Sequence, residues 1–163
     1  YLNLVEQLKE RSVTRTYLAM VVGVPVINKT INEPIGRHPK IRTKQAVNQN
    51  GKEAITRFSI LENLDGYSLL KVNLETGRTH QIRVHLSHIG FPIIGDPLYG
   101  SRNKFSRGSS EEQKKIISDF KRQALHAEEL RLNHPSSCEL LSFKAPMPPD
   151  MQILLNQIKE NGS

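Results

Sequence analysis

The stretch that decides the fold class is AITRFSILENLDGYSLLKVNLETGRTHQIRVHLSHIG, residues 54–90. Two runs rich in apolar and β-branched residues, 54–61 and 67–75, flank an Asp-Gly pair at 65–66, which is typical of a tight turn between antiparallel strands. In residues 82–89 the apolar side chains recur at helical spacing, which predicts a short helix. A strand hairpin that leads directly into a helix favours an α+β domain.

Similar patterns extend on both sides of this stretch. The expected elements are a helix in residues 1–8, a strand in 14–22, a helix in 111–120, strands in 124–133 and 139–145, and a helix with Pro149 in its first turn. Because most strands follow one another through hairpins, we predict a mixed, mostly antiparallel sheet with flanking helices. The length of 163 residues is that of one domain.

The composition indicates a polyanionic partner. The chain has 23 Lys and Arg against 16 Asp and Glu, a net charge of +7 and a pI near 9.7, which favours binding to nucleic acid. Its one cysteine, Cys138, excludes an internal disulfide framework and a cysteine-based zinc site, and it fits a cytoplasmic location. The sequence has no run of eighteen apolar residues, so we expect no transmembrane helix. An anionic membrane surface is the weaker alternative partner, because neither basic stretch has the apolar stripe of an interfacial helix, and we expect no membrane partner.

Two segments concentrate the positive charge. The first follows Pro34 and Gly36 and is expected to be a loop, in which basic side chains contact phosphates without reading sequence. Its candidate phosphate-binding residues are Arg37, His38, Lys40, Arg42 and Lys44. The second segment is rich in Ser and Gly, and its basic residues are Arg102, Lys104 and Arg107. The alternative is an ordinary, mildly basic domain without such a partner.

The densest polar cluster is ETGRTHQIRVHLSH, residues 75–88, where the predicted strand gives way to the predicted helix. Arg83 lies beside the apolar face of that helix, so its guanidinium is expected to be partly buried and to need a carboxylate or phosphate partner. A structural salt bridge to Glu75 or another acid is one explanation. The histidines of the cluster lack the glutamate of a zincin motif, so we expect satisfied core or interface histidines and no metal site.

Two further positions leave alternatives open. Tyr17 shares a strand face with Arg15, which suits a base-stacking platform, although a core tyrosine is the commoner explanation. Asp96 in GDPLYG, residues 95–100, is a candidate acid, but Gly-Asp-Pro more often forms a turn whose aspartate accepts from backbone N–H groups. The sequence contains no P-loop, dinucleotide fingerprint or nucleophile elbow.

Five segments match one known family, in order and over nearly the whole chain. They are RTYLAMVVG, PIGRHPKIRTKQAV, LETGRTHQIRVHLSHIGFPIIGDPLYG, RQALHAEELRLNHP and FKAPMPPDM. Together they resemble the RluA-type family of RNA pseudouridine synthases. The basic segment and APMPPDM look most like the RluD-type members, which modify large-subunit ribosomal RNA.

The resemblance implies an enzyme that needs no cofactor and converts uridine to pseudouridine in large-subunit (23S) ribosomal RNA, after flipping the nucleotide into a pocket. Tyr17 matches the family's active-site tyrosine, which stacks on the base and is implicated in proton transfer. Arg83 matches the arginine that pairs with the catalytic aspartate. Further residues would contact RNA, support the site or line its apolar wall. They are Arg78 and His80, the basic residues of the two segments including Arg102, and Leu125 and Leu130.

The catalytic aspartate of this family stands in a motif of the form H-R-L-D-x-x-T-S-G, which the sequence does not contain. We therefore expect residues 1–163 to be the C-terminal part of the catalytic domain, without the aspartate motif and an S4-like RNA-binding domain. This part is expected to be inactive alone and monomeric, with ribosomal RNA as its partner. The alternative is a catalytically dead RNA-binding or ribosome-assembly factor of the same fold, against which the retention of Tyr17 and Arg83 argues.

Overall fold

The computed structural model describes residues 1–100 and 105–162 and has an α+β fold. Its elements are α1 (Leu2–Lys9), β1 (Thr14–Val22), β2 (Lys29–Asn32), β3 (Ile35–Arg37), β4 (Gln45–Val47), β5 (Ile55–Asn63), β6 (Tyr67–Leu74), α2 (Gln81–His88), α3 (Glu111–Asp119), β7 (Leu125–Asn133), β8 (Leu140–Lys144) and α4 (Pro149–Glu160). Every helix and strand expected from the sequence is present. Arg102 and Lys104 lie outside the described residues, so their roles stay predictions.

The main sheet has six strands within the described residues, in the order β2-β5-β6-β1-β7-β8, and its strand pairs are antiparallel. β1 lies in the middle, where Tyr17 pairs with Val72 of β6 and with Ala127 of β7. The hairpin between β5 and β6 turns at Asp65 and Gly66, whose φ angles of 53° and 89° are those an Asp-Gly pair favours. The predicted fold class is confirmed.

The hydrophobic core covers both faces of the sheet at its centre. Residues 18–22 of β1 are all buried, without the alternation of a strand that has one face in water. Ile82 and Leu86 of α2 join this core, as do Met151 and Ile158 of α4, both of which are fully buried. The sheet and α2 are therefore held in a fixed relation by packing.

Residues 38–44 of the basic segment form a loop, as the sequence predicts, but this loop connects two short strands that the sequence analysis did not predict. Residues 35–47, here called the basic hairpin, contain β3 and β4 as a separate two-stranded pair that begins with Ile35 opposite Val47. Ile35 and Val47 pack in a small core with Val84 of α2. The sequence analysis missed β2, β3 and β4 because these strands have only 4, 3 and 3 residues, too few for a period-two pattern.

Some apolar side chains of the described residues are exposed. The helix α1 forms as its spacing predicts, but Leu2 is 81% exposed and the buried residue of this helix is Gln7, which is hydrogen-bonded to the backbone of Asn133. On the edge strand β8, Phe143 is 56% exposed and lies opposite Leu130 of β7. Among the residues described, none of the helices has the length and apolarity needed to span a bilayer.

Candidate active site

Arg83 forms a buried, bidentate salt bridge with Asp96. Its Nε donates to Oδ2 and its Nη2 donates to Oδ1, each over 2.8 Å, and the two side chains are 9% and 1% exposed. The residue pattern left Glu75 or another acid as the partner, and Asp96 is that acid. Asp96 thus supplies the carboxylate for these two nitrogens, while Nη1 has no hydrogen bond to any described residue. The pairing of Arg83 with the family's catalytic aspartate stays a prediction.

Asp96 is held in its ionised form. Its Oδ1 also accepts from the N–H groups of Leu98 (2.9 Å) and Tyr99 (3.0 Å), which confirms the predicted turn. Burial alone would raise the pKa of Asp96, but the hydrogen bonds from Arg83 and these N–H groups outweigh it and lower the pKa. The same bond to Asp96 raises the pKa of Arg83. Asp96 is therefore an anchor for Arg83 and unsuited to give up a proton at neutral pH.

Tyr99 connects this ion pair to the basic hairpin. Its ring centroid lies 5.0 Å from the guanidinium carbon of Arg83. Its hydroxyl accepts a hydrogen bond from the backbone N–H of Gln45 in β4 (2.9 Å) and is hydrogen-bonded to Nδ1 of His80 (2.8 Å). The sequence analysis did not single out Tyr99, although it stands in the same GDPLYG motif as Asp96.

His80 and Arg78 lie where the chain enters α2. His80 has a left-handed backbone conformation with φ of 55°. Its burial and then the charge of Arg83 lower its pKa, so that the imidazole is neutral near pH 7. The Nε of Arg78 donates to the carbonyl oxygen of Glu53 over 2.8 Å. Both residues thus have structural contacts, and their contact with RNA stays a prediction.

Tyr17 is half-buried on β1 and packs against the main core. The pairing of β1 with β7 shifts register between Thr16 and Tyr17, a bulge of the kind that re-aims side chains near functional sites. On the same strand, Arg15 donates weakly from Nη2 to the carbonyl of Glu75 (3.4 Å), while its Nε is buried without a partner among the described residues. Burial lowers the pKa of Arg15.

Two grooves meet at Gly77 and Arg78. One, of about 550 Å³, runs beside the basic hairpin, and the other, of about 340 Å³, runs between α1 and the end of β6. The basic residues that line them are Arg37, Lys52, Arg78, Arg15, Arg11 and Lys9. Glu75 also lines the second groove, and its carboxylate is paired with Arg57. The joined grooves form a path suited to a polyanion.

The connecting loop of the basic hairpin presents its charges to solvent. The exposed basic residues are Arg37, at the end of β3, and Lys40 and Arg42 in the loop. Lys44 is half-buried, with its Nζ 5.9 Å from the ring centroid of Tyr99. His38 has a different place, because its Nδ1 accepts from the backbone N–H groups of Lys40 and Ile41, each over 3.1 Å. The imidazole of His38 therefore shapes the loop that carries the other cations.

His85 is a satisfied core histidine, as the sequence predicts. It is fully buried, its Nε2 lies 2.8 Å from the carbonyl oxygen of Glu33, and its Nδ1 lies 2.7 Å from Oγ1 of Thr56. Because a carbonyl only accepts, Nε2 carries the proton and Thr56 donates to Nδ1. Within the described part of the chain, no cluster of three or more His, Cys, Asp or Glu could hold a metal ion.

Acidification is expected to destabilise the protein through His85. Burial lowers the folded-state pKa of His85 below its ordinary value of 6.5, so the unfolded chain binds a proton first. This contribution to stability is complete above pH 6.5 and falls as the pH drops from 6.5 to the folded-state pKa. Chemical denaturation between pH 7.5 and about 5 should show this fall. His85→Gln should reduce the fall in the free energy of unfolding, whereas His134→Gln, at an exposed position, should not. If wild type and His85→Gln lose stability equally over this pH range, His85 is not the cause of the fall.

The two leucines expected in an apolar pocket wall have different surroundings. Leu125 is half-buried and packs against the main core. Leu130 is 37% exposed and pairs with Arg15 across β1 and β7. Directly paired residues share a face of the sheet, so Leu130 lies on the face that carries Arg15. Their place in a nucleotide pocket stays a prediction.

Comparison with known proteins identifies the family. Residues 2–88 match the model of the RNA pseudouridylate synthase family, and the chain belongs to this family. The ribosomal large subunit pseudouridine synthase D of Xanthomonas campestris is 46% identical over 160 residues, which are 98% of this chain and 48% of that protein. The protein of the same name from Escherichia coli K12 is 46% identical over 156 residues, 96% of this chain and 48% of its own length. The chain thus spans about half the length of these curated relatives.

Solved structures agree with the fold. Human RNA Pseudouridylate Synthase Domain Containing 1 superposes with a TM-score of 0.71 at 29% identity, and the match covers 93% of this chain and 62% of the human chain. Human RNA Pseudouridylate Synthase Domain Containing 4 superposes with a TM-score of 0.75 at 24% identity, over 97% of this chain and 67% of its own. The second likeness supports the fold alone.

Proposed function

We propose that the full-length gene product containing this chain converts uridine to pseudouridine in large-subunit ribosomal RNA. The observation that carries the proposal is the 46% identity, over 98% of the chain, to a ribosomal large subunit pseudouridine synthase D. The basic grooves and the exposed cations of the basic hairpin supply a surface for RNA. With such a substrate, we propose a cytoplasmic monomer that works without a cofactor or a membrane partner.

The proposed reaction is an isomerisation. The bond between N1 of uracil and C1′ of the ribose breaks, the base turns, C5 bonds to C1′, and the C5 proton is lost while N1 gains one. The target nucleotide is flipped out, and its base stacks on Tyr17, whose hydroxyl assists the proton transfer. The attacking or charge-stabilising aspartate is supplied by the part of the gene product outside residues 1–163, because no aspartate of this chain stands in the family's H-R-L-D motif.

Arg83 is proposed to hold that aspartate ionised. Its Nε and Nη2 bind Asp96 and so fix the plane of the guanidinium. Since a guanidinium carries five N–H donors in a rigid plane, Nη1 can donate to a second carboxylate at the same time. A positive charge at that position keeps the pKa of the second carboxylate low, as a nucleophile requires. Asp96 then acts by orienting Arg83.

The test is incubation of the full-length gene product with unmodified large-subunit RNA, followed by mapping of pseudouridine at nucleotide resolution. We expect new pseudouridine at discrete positions. A protein that binds this RNA tightly but forms no pseudouridine would instead support the RNA-binding assembly factor. A chain of residues 1–163 that forms pseudouridine unaided would contradict the placement of the aspartate.

The double variant Arg37→Gln/Arg42→Gln is expected to weaken RNA binding about tenfold and to reduce the slope of log affinity against log salt by about 1 to 2, because two phosphate contacts are lost. Binding titrations at several salt concentrations measure both quantities. Lys115→Gln/Lys121→Gln removes the same charge from α3 and the turn after it, and should change the slope less. If both double variants behave alike, the loop has no special role in binding.

A further inference from the structure

We propose that Tyr99 is a positioning residue that links the basic hairpin to Arg83: its hydroxyl holds the hairpin, and its ring lies against the guanidinium. This inference rests on the proposed function, because it assumes that the hairpin binds RNA and that Arg83 serves the reaction. It adds a residue that couples the binding of RNA at the basic hairpin to the position of Arg83.

The hydroxyl fixes the hairpin where the basic loop ends and β4 begins. Oη of Tyr99 accepts from the backbone N–H of Gln45 over 2.9 Å. Gln45 is the register partner of Arg37, and the loop that contains Arg42 connects these two residues. The position of the Arg37 backbone therefore depends on a contact made by the hydroxyl of Tyr99.

The same hydroxyl reaches the beginning of α2. It is hydrogen-bonded over 2.8 Å to Nδ1 of His80, the residue that caps the helix on which Arg83 stands. One oxygen atom thus joins a strand of the basic hairpin to the helix of the active-site arginine. Removing it would leave the N–H of Gln45 without this partner.

The ring is held between the hairpin and the ion pair. It packs in the small core with Ile35 of β3 and Val84 of α2. The ring centroid also lies 5.0 Å from the guanidinium carbon of Arg83. The backbone N–H of Tyr99 donates to Oδ1 of Asp96 over 3.0 Å. A shift of the hairpin would therefore press on the Tyr99 side chain, which lies against Arg83 and belongs to the residue whose backbone N–H holds Asp96.

The hydroxyl is tested with Tyr99→Phe in two backgrounds, wild type and Arg37→Gln/Arg42→Gln, using the full-length gene product and an unmodified large-subunit RNA fragment. In the wild-type background we expect the dissociation constant to rise about threefold to tenfold, the effect of one neutral hydrogen bond. In the double-variant background the further rise should be less than about twofold, because the contacts that the hydroxyl positions are already gone. An equal rise in both backgrounds would overturn the proposal, since Tyr99 would then act independently of the hairpin.

The ring is tested by the rate of a single turnover at saturating RNA. Tyr99→Leu should react about tenfold more slowly than Tyr99→Phe, which keeps the ring over Arg83. Equal rates in the two variants, both folded, would overturn the link to Arg83. If Tyr99→Leu does not fold, the dissociation constants measured with Tyr99→Phe still decide whether the hydroxyl positions the hairpin. Tyr67→Phe is the matched control, because it removes a hydroxyl that is bonded to Ser109 in a different part of the fold. A wild-type protein that binds no RNA or forms no pseudouridine would instead refute the proposed function itself.

Discussion

Replacing Arg83 with alanine in the full-length gene product is expected to lower the free energy of unfolding by about 3–5 kcal/mol and to stop pseudouridine formation. The loss of stability follows because the carboxylate of Asp96, 1% exposed, would stay buried without its counter-charge. The loss of activity follows from the proposed pairing of Nη1 with the catalytic aspartate. RNA affinity should stay nearly unchanged, because the basic hairpin remains. Denaturant unfolding, binding titrations and pseudouridine mapping measure the three quantities.

Two variants separate the effects of charge and burial. Arg57→Ala removes an arginine whose salt bridge to Glu75 is on the surface, with side chains 59% and 26% exposed, and should cost less than about 1 kcal/mol. Arg83→Lys keeps the charge but not the two parallel hydrogen bonds, so its stability should lie between those of wild type and Arg83→Ala. An Arg83→Ala protein with wild-type stability and turnover would refute both roles of this residue.

Replacing Tyr17 with phenylalanine is expected to slow pseudouridine formation by about 10²- to 10⁴-fold while RNA affinity changes little. The ring that is proposed to stack on the base is kept, whereas the hydroxyl proposed to assist proton transfer is lost. Tyr17→Ala should in addition weaken binding of the target nucleotide, since stacking on an aromatic ring contributes about 1–3 kcal/mol per base. Single-turnover rates over a range of enzyme concentrations separate the two effects.

Tyr67→Phe is again the matched control on the neighbouring strand. Its hydroxyl is bonded to Ser109 and to the N–H of Ser106, so its removal should cost roughly 1 kcal/mol of stability without slowing the reaction. If Tyr17→Phe reacts as fast as wild type, the hydroxyl of Tyr17 has no part in proton transfer, and the tyrosine acts by stacking alone.

Much of the secondary structure could be predicted from local sequence patterns. The strands of residues 55–63 and 67–74 could be predicted because a turn that needs positive φ carries Asp65 and Gly66, and because both strands are long enough for their composition to show. The same holds for α4, whose apolar residues recur at helical spacing and are buried. In such elements the local preference and the tertiary packing agree.

The parts that could not be predicted depend on contacts between distant or irregular segments. The strands of the basic hairpin are too short for a pattern and are held by the side chains of Val84 and Tyr99. The pairing of Arg83 with Asp96 joins a helix to an irregular turn 13 residues later, and no spacing rule links such positions. Sequence alone could state that Arg83 needs an acid, but only the fold selects Asp96 over Glu75.

The central position of β1 in the sheet has a consequence for folding during synthesis on the ribosome. Ala19 pairs with Leu70 on one side and with Leu125 on the other, so this strand is completed only when segments much later in the chain have been made. At about 5–20 residues per second, Leu18 and Ala19 wait on the order of ten seconds for β7, whereas Val21 meets Ile93 sooner. During that time Leu18 and Ala19, which are buried in the folded protein, lack their second neighbouring strand. We therefore expect chaperones near the ribosome exit to shield β1 during synthesis.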